Sequence, residues 1–269
     1  MQTILIANAV LVNEGSSQPS DVFIKDGRIE KIASSLTNQP ADTVIDANGK
    51  ALLPGMIDCH VHFREPGLEQ KADLHSESRA AVAGGVTSVM EMPNTKPAAI
   101  NNSVLEDKFA LAATKCVANY SFHLGASNNN MDELLAMDPK TVCGVKLFMG
   151  ASTGGLLVDR QQQLEDIFRQ VKVPISLHCE DTNTIRENEK AAREKYGEKI
   201  PFSEHHLIRS EDACYKSTVL AFELATKYDA QIHVLHLTTA KELELFQSGP
   251  VSGKKITGEA CPHMLWFSS

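Results

Sequence analysis

Two rhythms of apolar and polar residues divide the chain. Up to about residue 50 the apolar runs are short and β-like, at 4–6, 9–12, 21–24, 28–32 and 43–46. Asn13-Glu14-Gly15, Lys25-Asp26-Gly27 and Ala47-Asn48-Gly49 separate them. Glycine in each break suits a turn that needs positive φ, so this part predicts a small antiparallel β unit. From about residue 51 the rhythm becomes strand, loop, helix, repeated. The first strand ends in His60-Val61-His62, and later ones are expected at 86–92, 118–124, 143–149, 174–178, 231–237 and 255–259. Helical spacing fills the intervals at 72–83, 104–115, 131–137, 160–170, 182–195, 211–228 and 240–247. Gly84-Gly85 offers the first of these helices a left-handed cap.

Strands alternating with helices imply parallel β/α units, in a closed barrel or a doubly wound open sheet. Polar residues recur at the C-terminal ends of the strands, and in a barrel those ends share one mouth. The expected fold is therefore α/β, a TIM-type barrel. Seven units are counted rather than eight, which predicts that the chain stops before the barrel is complete.

Composition narrows the partners. The chain has 269 residues, 42% of them hydrophobic, enough for one large domain with a small companion. A formal net charge of −8 without a basic block argues against a nucleic-acid groove or an anionic membrane surface. The N-terminus has no basic flank, and no apolar run approaches the roughly 18 residues of a membrane span. The cytoplasm is the expected location. Cys59, Cys116, Cys143, Cys179, Cys214 and Cys261 form no C-x-x-C pair, which fits free thiols in a reducing compartment.

The chemistry gathers at strand ends. At a period of two, His60, His62 and Arg64 fall on one side of the first strand, which reads as buried. Two parallel imidazoles so placed can chelate one divalent metal. Taken alone, His-x-His is more often a hydrogen-bonded pair on a polar face. Lys146 lies in the apolar strand Val145-Lys146-Leu147-Phe148-Met149, where an unpaired ammonium is costly. It is either paired internally or, with its pKa lowered, able to react with carbon dioxide to give an anionic carbamate that bridges two metals. His178 closes the fifth of these strands. His233 and His236 have opposite parity, so only one can face the barrel interior. His236, nearer the mouth, is taken as the ligand, and His233 as structural. His60, His62, Lys146, His178 and His236 make five ligands, more than one tetrahedral ion requires, and imply a two-metal site.

Asp58-Cys59-His60-Val61-His62-Phe63-Arg64-Glu65-Pro66-Gly67, Met92-Pro93-Asn94-Thr95, Gly144-Val145-Lys146-Leu147-Phe148, Leu177-His178-Cys179-Glu180 and His236-Leu237-Thr238-Thr239 together resemble the dihydroorotases of the amidohydrolase superfamily. The likeness runs over essentially the whole chain. It implies a metal-dependent (β/α)8 barrel at 53–269, lacking its C-terminal end, and a small β-sandwich domain to which 1–52 contribute. It also implies two divalent ions, most commonly Zn2+, one on His60 and His62, the other on His178 and His236, joined by carboxylated Lys146. Such enzymes interconvert dihydroorotate and N-carbamoyl-aspartate in pyrimidine synthesis. In that light Arg64 pairs with the substrate carboxylate, its alternative being a surface salt bridge with Glu65 or Glu69. Asn94 is a second carboxylate contact or a turn former. The family's aspartate ligand and proton shuttle, in a Thr-Asp-His-Ala-Pro-His type segment, is absent from this sequence. A homodimer is left open.

Other features stay bland. Gly150 to Gly155 lacks the Lys-Ser/Thr ending of a phosphate loop and reads as a flexible loop beside the mouth. His205-His206 reads as solvated, His123 as a strand-end residue that could line the site but has no partner pattern, and His263, after the seventh strand, as able to approach the substrate but not as a ligand. Two alternatives remain: a hydantoinase, dihydropyrimidinase or allantoinase, none of which needs the arginine after His-x-His, and a metal-free structural relative.

Overall fold

The computed structural model describes residues 2–150 and 155–267. Most of the loop expected at 150–155, namely residues 151–154, lies outside the described residues. The chain divides into two compact units, Met1–Met56 and Ile57–Ser269.

In the first unit, β1 (Thr3–Asn13), β2 (Ser16–Lys25), β3 (Arg28–Ala33), β4 (Thr43–Asp46) and β5 (Ala51–Leu52) form one five-stranded sheet. Tight turns at Glu14-Gly15 and Asp26-Gly27, with positive φ at both residues of each, join β1 to β2 and β2 to β3. The runs at 4–6 and 9–12 are one strand. A register shift between Ile6 and Ala9, with Asn8 at φ 56°, lets it continue where two strands were expected. The antiparallel expectation also fails beyond β3, because β4 and β5 pair with β1 in parallel. The longer connection between β3 and β4 is what permits the crossover that a two-residue turn forbids. Leu5, Phe23 and Leu36 form this unit's small core.

The second unit carries β6 (Met56–Val61), β7 (Val86–Glu91), β8 (Asn119–Gly125), β9 (Gly144–Phe148), β10 (Ile175–His178), β11 (Ile232–Val234) and β12 (Ile256–Gly258). They lie side by side in chain order. A doubly wound sheet reverses its order at a switch point, so this unbroken parallel order belongs to a TIM-type barrel with seven β/α units. Helices α1 (Leu74–Ala83), α2 (Asn102–Lys115), α3 (Met131–Ala136), α4 (Gln161–Gln170), α5 (Thr182–Tyr196), α6 (His205–Ile208), α7 (Glu211–Tyr228), α8 (Ala240–Leu243) and α9 (Pro262–Trp266) fall between and after the strands. Asp73, Asn101 and Asp181 cap α1, α2 and α5 through their side chains. None of the described helices is long and apolar enough to cross a membrane.

Alternation along the strands sorts the side chains. Phe122, Leu124, Val145, Leu147, Ile175, Leu177, Ile232 and Val234 are buried in one core with Leu105, Leu134, Ile167, Phe168 and Leu224 of the helices. The alternate positions are polar, and Lys146, Ser176, His233 and Thr257 stand opposite one another on successive strands. Two expectations need correction. The strand β6 is not buried at its start, where Met56 and Ile57 are exposed, because among the described residues it is an edge strand paired with β7 alone. At the other end, β11 and α8 are shorter than the pattern suggested. The backbone turns at His236 (φ 42°), and after Leu243 the chain tightens into i to i−3 hydrogen bonds from Leu245 and Phe246.

One charged pair is sealed between sheet and helix. Lys108 of α2 and Glu91 of β7 are each about 1% exposed, with Nζ 2.5 Å from Oε2. Burial pushes the Glu91 carboxyl up and the Lys108 amine down, each against the attraction of the other. Lys108 is the main compensation for the buried Glu91 carboxylate, with smaller contributions from the backbone amides of Arg64 and Phe63. Lys108→Met is expected to destabilise the protein by about 3–5 kcal/mol in urea unfolding, and Glu91→Leu added to it to recover most of the loss. Parent-like stability of the single variant would show the pair to be energetically idle.

Candidate metal centre

Strand ends bring four of the predicted histidines into two facing pairs. His60 and His62, at and just past the end of β6, have their Nε2 atoms 3.2 Å apart. His178, the last residue of β10, has Nδ1 2.9 Å from Nε2 of His236. The rings of His60 and His236 are 5.4 Å apart between centroids, and those of His178 and His236 4.9 Å, so the pairs adjoin. Lys146, 1% exposed on β9, carries its Nζ 4.4 Å from the centre of the Phe148 ring. Its charge depresses the protonation of His62, His123, His178 and His236 alike, which places it among them.

The outer nitrogens decide which donor each histidine offers. Nδ1 of His60 donates to Oε1 of Glu259 at 2.6 Å, and Nδ1 of His62 to Oδ1 of Asn94 at 2.8 Å. With Nδ1 so engaged, each ring turns its Nε2 toward the other. On the other pair, Nε2 of His178 donates to Oε2 of Glu180 at 2.7 Å, which leaves its Nδ1 directed at His236. Metal-ligating histidines are held in this way, by a carboxylate or carbonyl on the far nitrogen.

Electrostatics agree with that donor set. Burial, aided by the charges of His60 and Arg64, pushes His62 down to about 3; burial with His178 and Lys146 does the same for His236. Burial also lowers His178. These imidazoles are neutral at physiological pH, the state in which they can coordinate. Lys146 falls from 10.5 to about 7, because burial outweighs the pull of Cys179 and Glu259. Burial opposes ionisation of Glu180 and Glu259 too. Hydrogen bonds from His178 and Arg209 nonetheless hold Glu180 at about 2, and those from His233, His60 and Cys59 hold Glu259 well below the usual carboxylate range.

Several expectations are redrawn. Arg64 has φ 70°, so the period of two ends before it, and its placement beside His62 comes from the bend. The alternative salt bridge is not formed: Glu65 pairs with Lys115, and Glu69 accepts from the Gly67 amide. Asn94 has a role not foreseen, as acceptor for His62. The strand ends at Val234, so parity does not extend to His236, while His233 is hydrogen-bonded as expected. His233 donates to Oε2 of Glu259 at 3.3 Å, and the His236 amide reaches Oε1 at 3.4 Å. His123 does have partners, Ser176 Oγ at 3.1 Å and Cys143 Sγ at 3.3 Å, and sits 2% exposed. His205 and His206 are exposed, as expected, and border a cavity of about 370 Å3 together with His178, Glu180, Arg209 and His236. Glu259 and Glu180 were missed as site residues. Their one sequence signal was position, immediately beyond a strand or two residues past a ligand.

Comparison with known proteins follows the same lines. Residues 51–248 match the amidohydrolase family. The chain is 31% identical to a dihydroorotase of Methanosarcina acetivorans, over all of this chain and 58% of that one, and 33% identical to a dihydroorotase of Solibacter usitatus, over 97% and 60%. It therefore spans about 60% of the length of these curated relatives. Among solved structures, the L-hydantoinase (dihydropyrimidinase) of Arthrobacter aurescens superposes with a TM-score of 0.92 at 23% identity, over the whole of this chain and 60% of that one. Since the family match takes in every strand of the barrel sheet except β12, this chain belongs to the amidohydrolase family.

Proposed function

We propose that the protein is a dihydroorotase, which hydrolyses the cyclic amide of dihydroorotate reversibly to N-carbamoyl-aspartate in pyrimidine synthesis. The observation that carries this is the meeting of two imidazole pairs around a buried lysine. Membership of the amidohydrolase family implies a divalent metal. The donor set fits one: His60 and His62 turn unprotonated nitrogens toward each other, an arrangement that a cation relieves. His60 and His62 would hold one ion, His178 and His236 a second, and Lys146, as its carbamate, would bridge them. Nitrogen donors favour Zn2+. Bound there, the ions would acidify water and polarise the amide carbonyl.

The chain's own residues do the rest. Lys146 supplies an amine that is uncharged for part of the time near neutrality and can therefore add to carbon dioxide. The Lys146 environment, apolar on β9 and close to Phe148, favours retention of the product only where cations balance its charge. Arg64, free of a carboxylate partner among the described residues, offers its planar fork to the substrate carboxylate. Asn94 contacts the same carboxylate through its amide nitrogen while its oxygen steadies His62. The hydantoinase likeness carries the fold alone, so the choice of cyclic amide rests on Arg64 and on the relatives named dihydroorotase. The cytoplasm, where the pyrimidine ring would be made, is the proposed location.

Substrate choice is testable by turnover of dihydroorotate against dihydrouracil, hydantoin and allantoin, with Arg64→Met alongside. Loss of a charge-assisted contact worth about 1.5–3 kcal/mol should lower kcat/KM for dihydroorotate roughly 10- to 150-fold and leave the uncharged rings unaffected. Faster turnover of an uncharged ring by the parent would move the assignment to a sister enzyme.

Carbamate formation has its own pH signature. Only neutral lysine reacts, and the neutral fraction of Lys146 rises as pH passes upward through about 7. Uptake of 13C-bicarbonate into a carbamate signal is expected to be low at pH 6 and high at pH 8, and absent in Lys146→Ala. A pH-independent signal, or one that survives the substitution, would remove Lys146 from the bridge.

A further inference from the structure

Glu259 follows the last strand of the barrel sheet, and its carboxylate gathers four donors. Oε1 accepts from Nδ1 of His60 at 2.6 Å and from the His236 amide at 3.4 Å. Oε2 accepts from Sγ of Cys59 at 3.1 Å and from Nε2 of His233 at 3.3 Å. His233 is itself fixed at its other nitrogen by Thr257 Oγ1, 2.9 Å away. The first strand of the sheet and the two last ones thus meet on one anion, half-buried at the end of the sheet.

Cys59, His233 and Glu259 present three ligand atoms within 4.8 Å of one another, a spacing that an ion could also use. Hydrogen bonding accounts for the cluster better. Each contact pairs a donor with a carboxylate oxygen, and the shortest of them goes to His60, which lies outside that trio.

We propose that Glu259 is the positioning residue of the first histidine pair: it fixes His60 as the Nδ1–H tautomer and so aims the Nε2 lone pair at the metal. It acts through His60 and touches neither the ion nor the substrate. The assignment rests on the metal centre proposed above. Its consequence is that the donor power of a residue at one edge of the sheet is set by a carboxylate at the other.

Two measurements on the intact chain test this. The first is the tautomer of His60 and His233 in the metal-free protein, read from two-bond 15N–1H imidazole spectra, with His60→Gln used for assignment. The parent should show Nδ1–H at His60 and Nε2–H at His233. In Glu259→Ala, His60 should revert to the Nε2–H form that neutral histidine prefers in water. The second is titration with Zn2+ alone, where removal of an outer partner of this kind should weaken binding about 10- to 100-fold at a temperature where the variant is folded. A folded Glu259→Ala that keeps the parent tautomer and binds Zn2+ within twofold of the parent overturns the proposal. Should that variant not fold, Glu259→Gln decides. His60 and His233 use different oxygens of Glu259, and the amide puts a donating NH2 in place of one of them, so the histidine facing it is expected to change tautomer; no change in either overturns the assignment. A thiolate-to-cobalt charge-transfer band with Co2+ would mean that Cys59, His233 and Glu259 take an ion themselves, with the same result. If the parent binds no Zn2+, the metal centre fails, while the tautomer measurement still decides what Glu259 does.

Discussion

Side chains on a parallel strand alternate between its two faces, and this constraint orders everything in the larger unit. Helices cover the outer face, so every second residue must be apolar: Phe122 and Leu124, Val145 and Leu147, Ile175 and Leu177, Ile232 and Val234 comply. The other set is then free to be polar. In this chain it holds Lys146, Ser176 and His233, opposite one another on successive strands, with His123 opposite Gly144 and His178 opposite Phe148. Chemistry is concentrated because the outer layer has used the apolar half of each strand.

A polar interior is costly unless its groups are paired or neutral. Burial resolves the cost largely by neutralising the bases: His62 and His236 are driven to about 3 and Lys146 to about 7. Full negative charge is kept only where donors converge, at Glu180 on His178 and Arg209, and at Glu259 on His60, His233 and Cys59. The result is a cluster of unprotonated bases edged by two anions, which suits cations better than it suits its own proton inventory. Proteins accept such local conflict where function requires it.

Much of this was legible in the sequence because strand ends announce themselves. An apolar run that stops at a histidine or encloses a lysine is unusual enough to mark His60, His62, Lys146, His178 and His236 without a structure. What failed was extrapolation of the period of two past the ends of strands. The bends at Arg64 and His236, with φ 70° and 42°, redirect the chain where the site is built, so a period of two does not account for where these two residues lie. Glu259 was beyond reach for another reason. Its meaning lies in a partner 199 residues away, and nothing local separates it from any acid at a strand end. In the smaller unit the turns were readable from Gly15 and Gly27, but the direction of β4 and β5 depends on a crossover that carries no turn signal.

The two anchoring carboxylates differ in how they are acquired, and this bears on how the site comes into being. Glu180 is two residues from His178 and tied to Arg209, so the His178 donor is arranged once β10 and the segment leading into α7 are in place. His60 has no such local help; its carboxylate arrives only when the seven strands have formed in order and curled far enough for the residue after β12 to reach the end of β6. Long-range pairings of this sort are closed late, since their loop entropy is lost before the contacts repay it. The first histidine pair is thus a reporter of the finished sheet, whereas the second can exist in a partly folded one. Ions held by the two pairs, as proposed, would add their binding free energy to the closed arrangement, so the sheet and such a metal centre would stabilise each other through the same few hydrogen bonds.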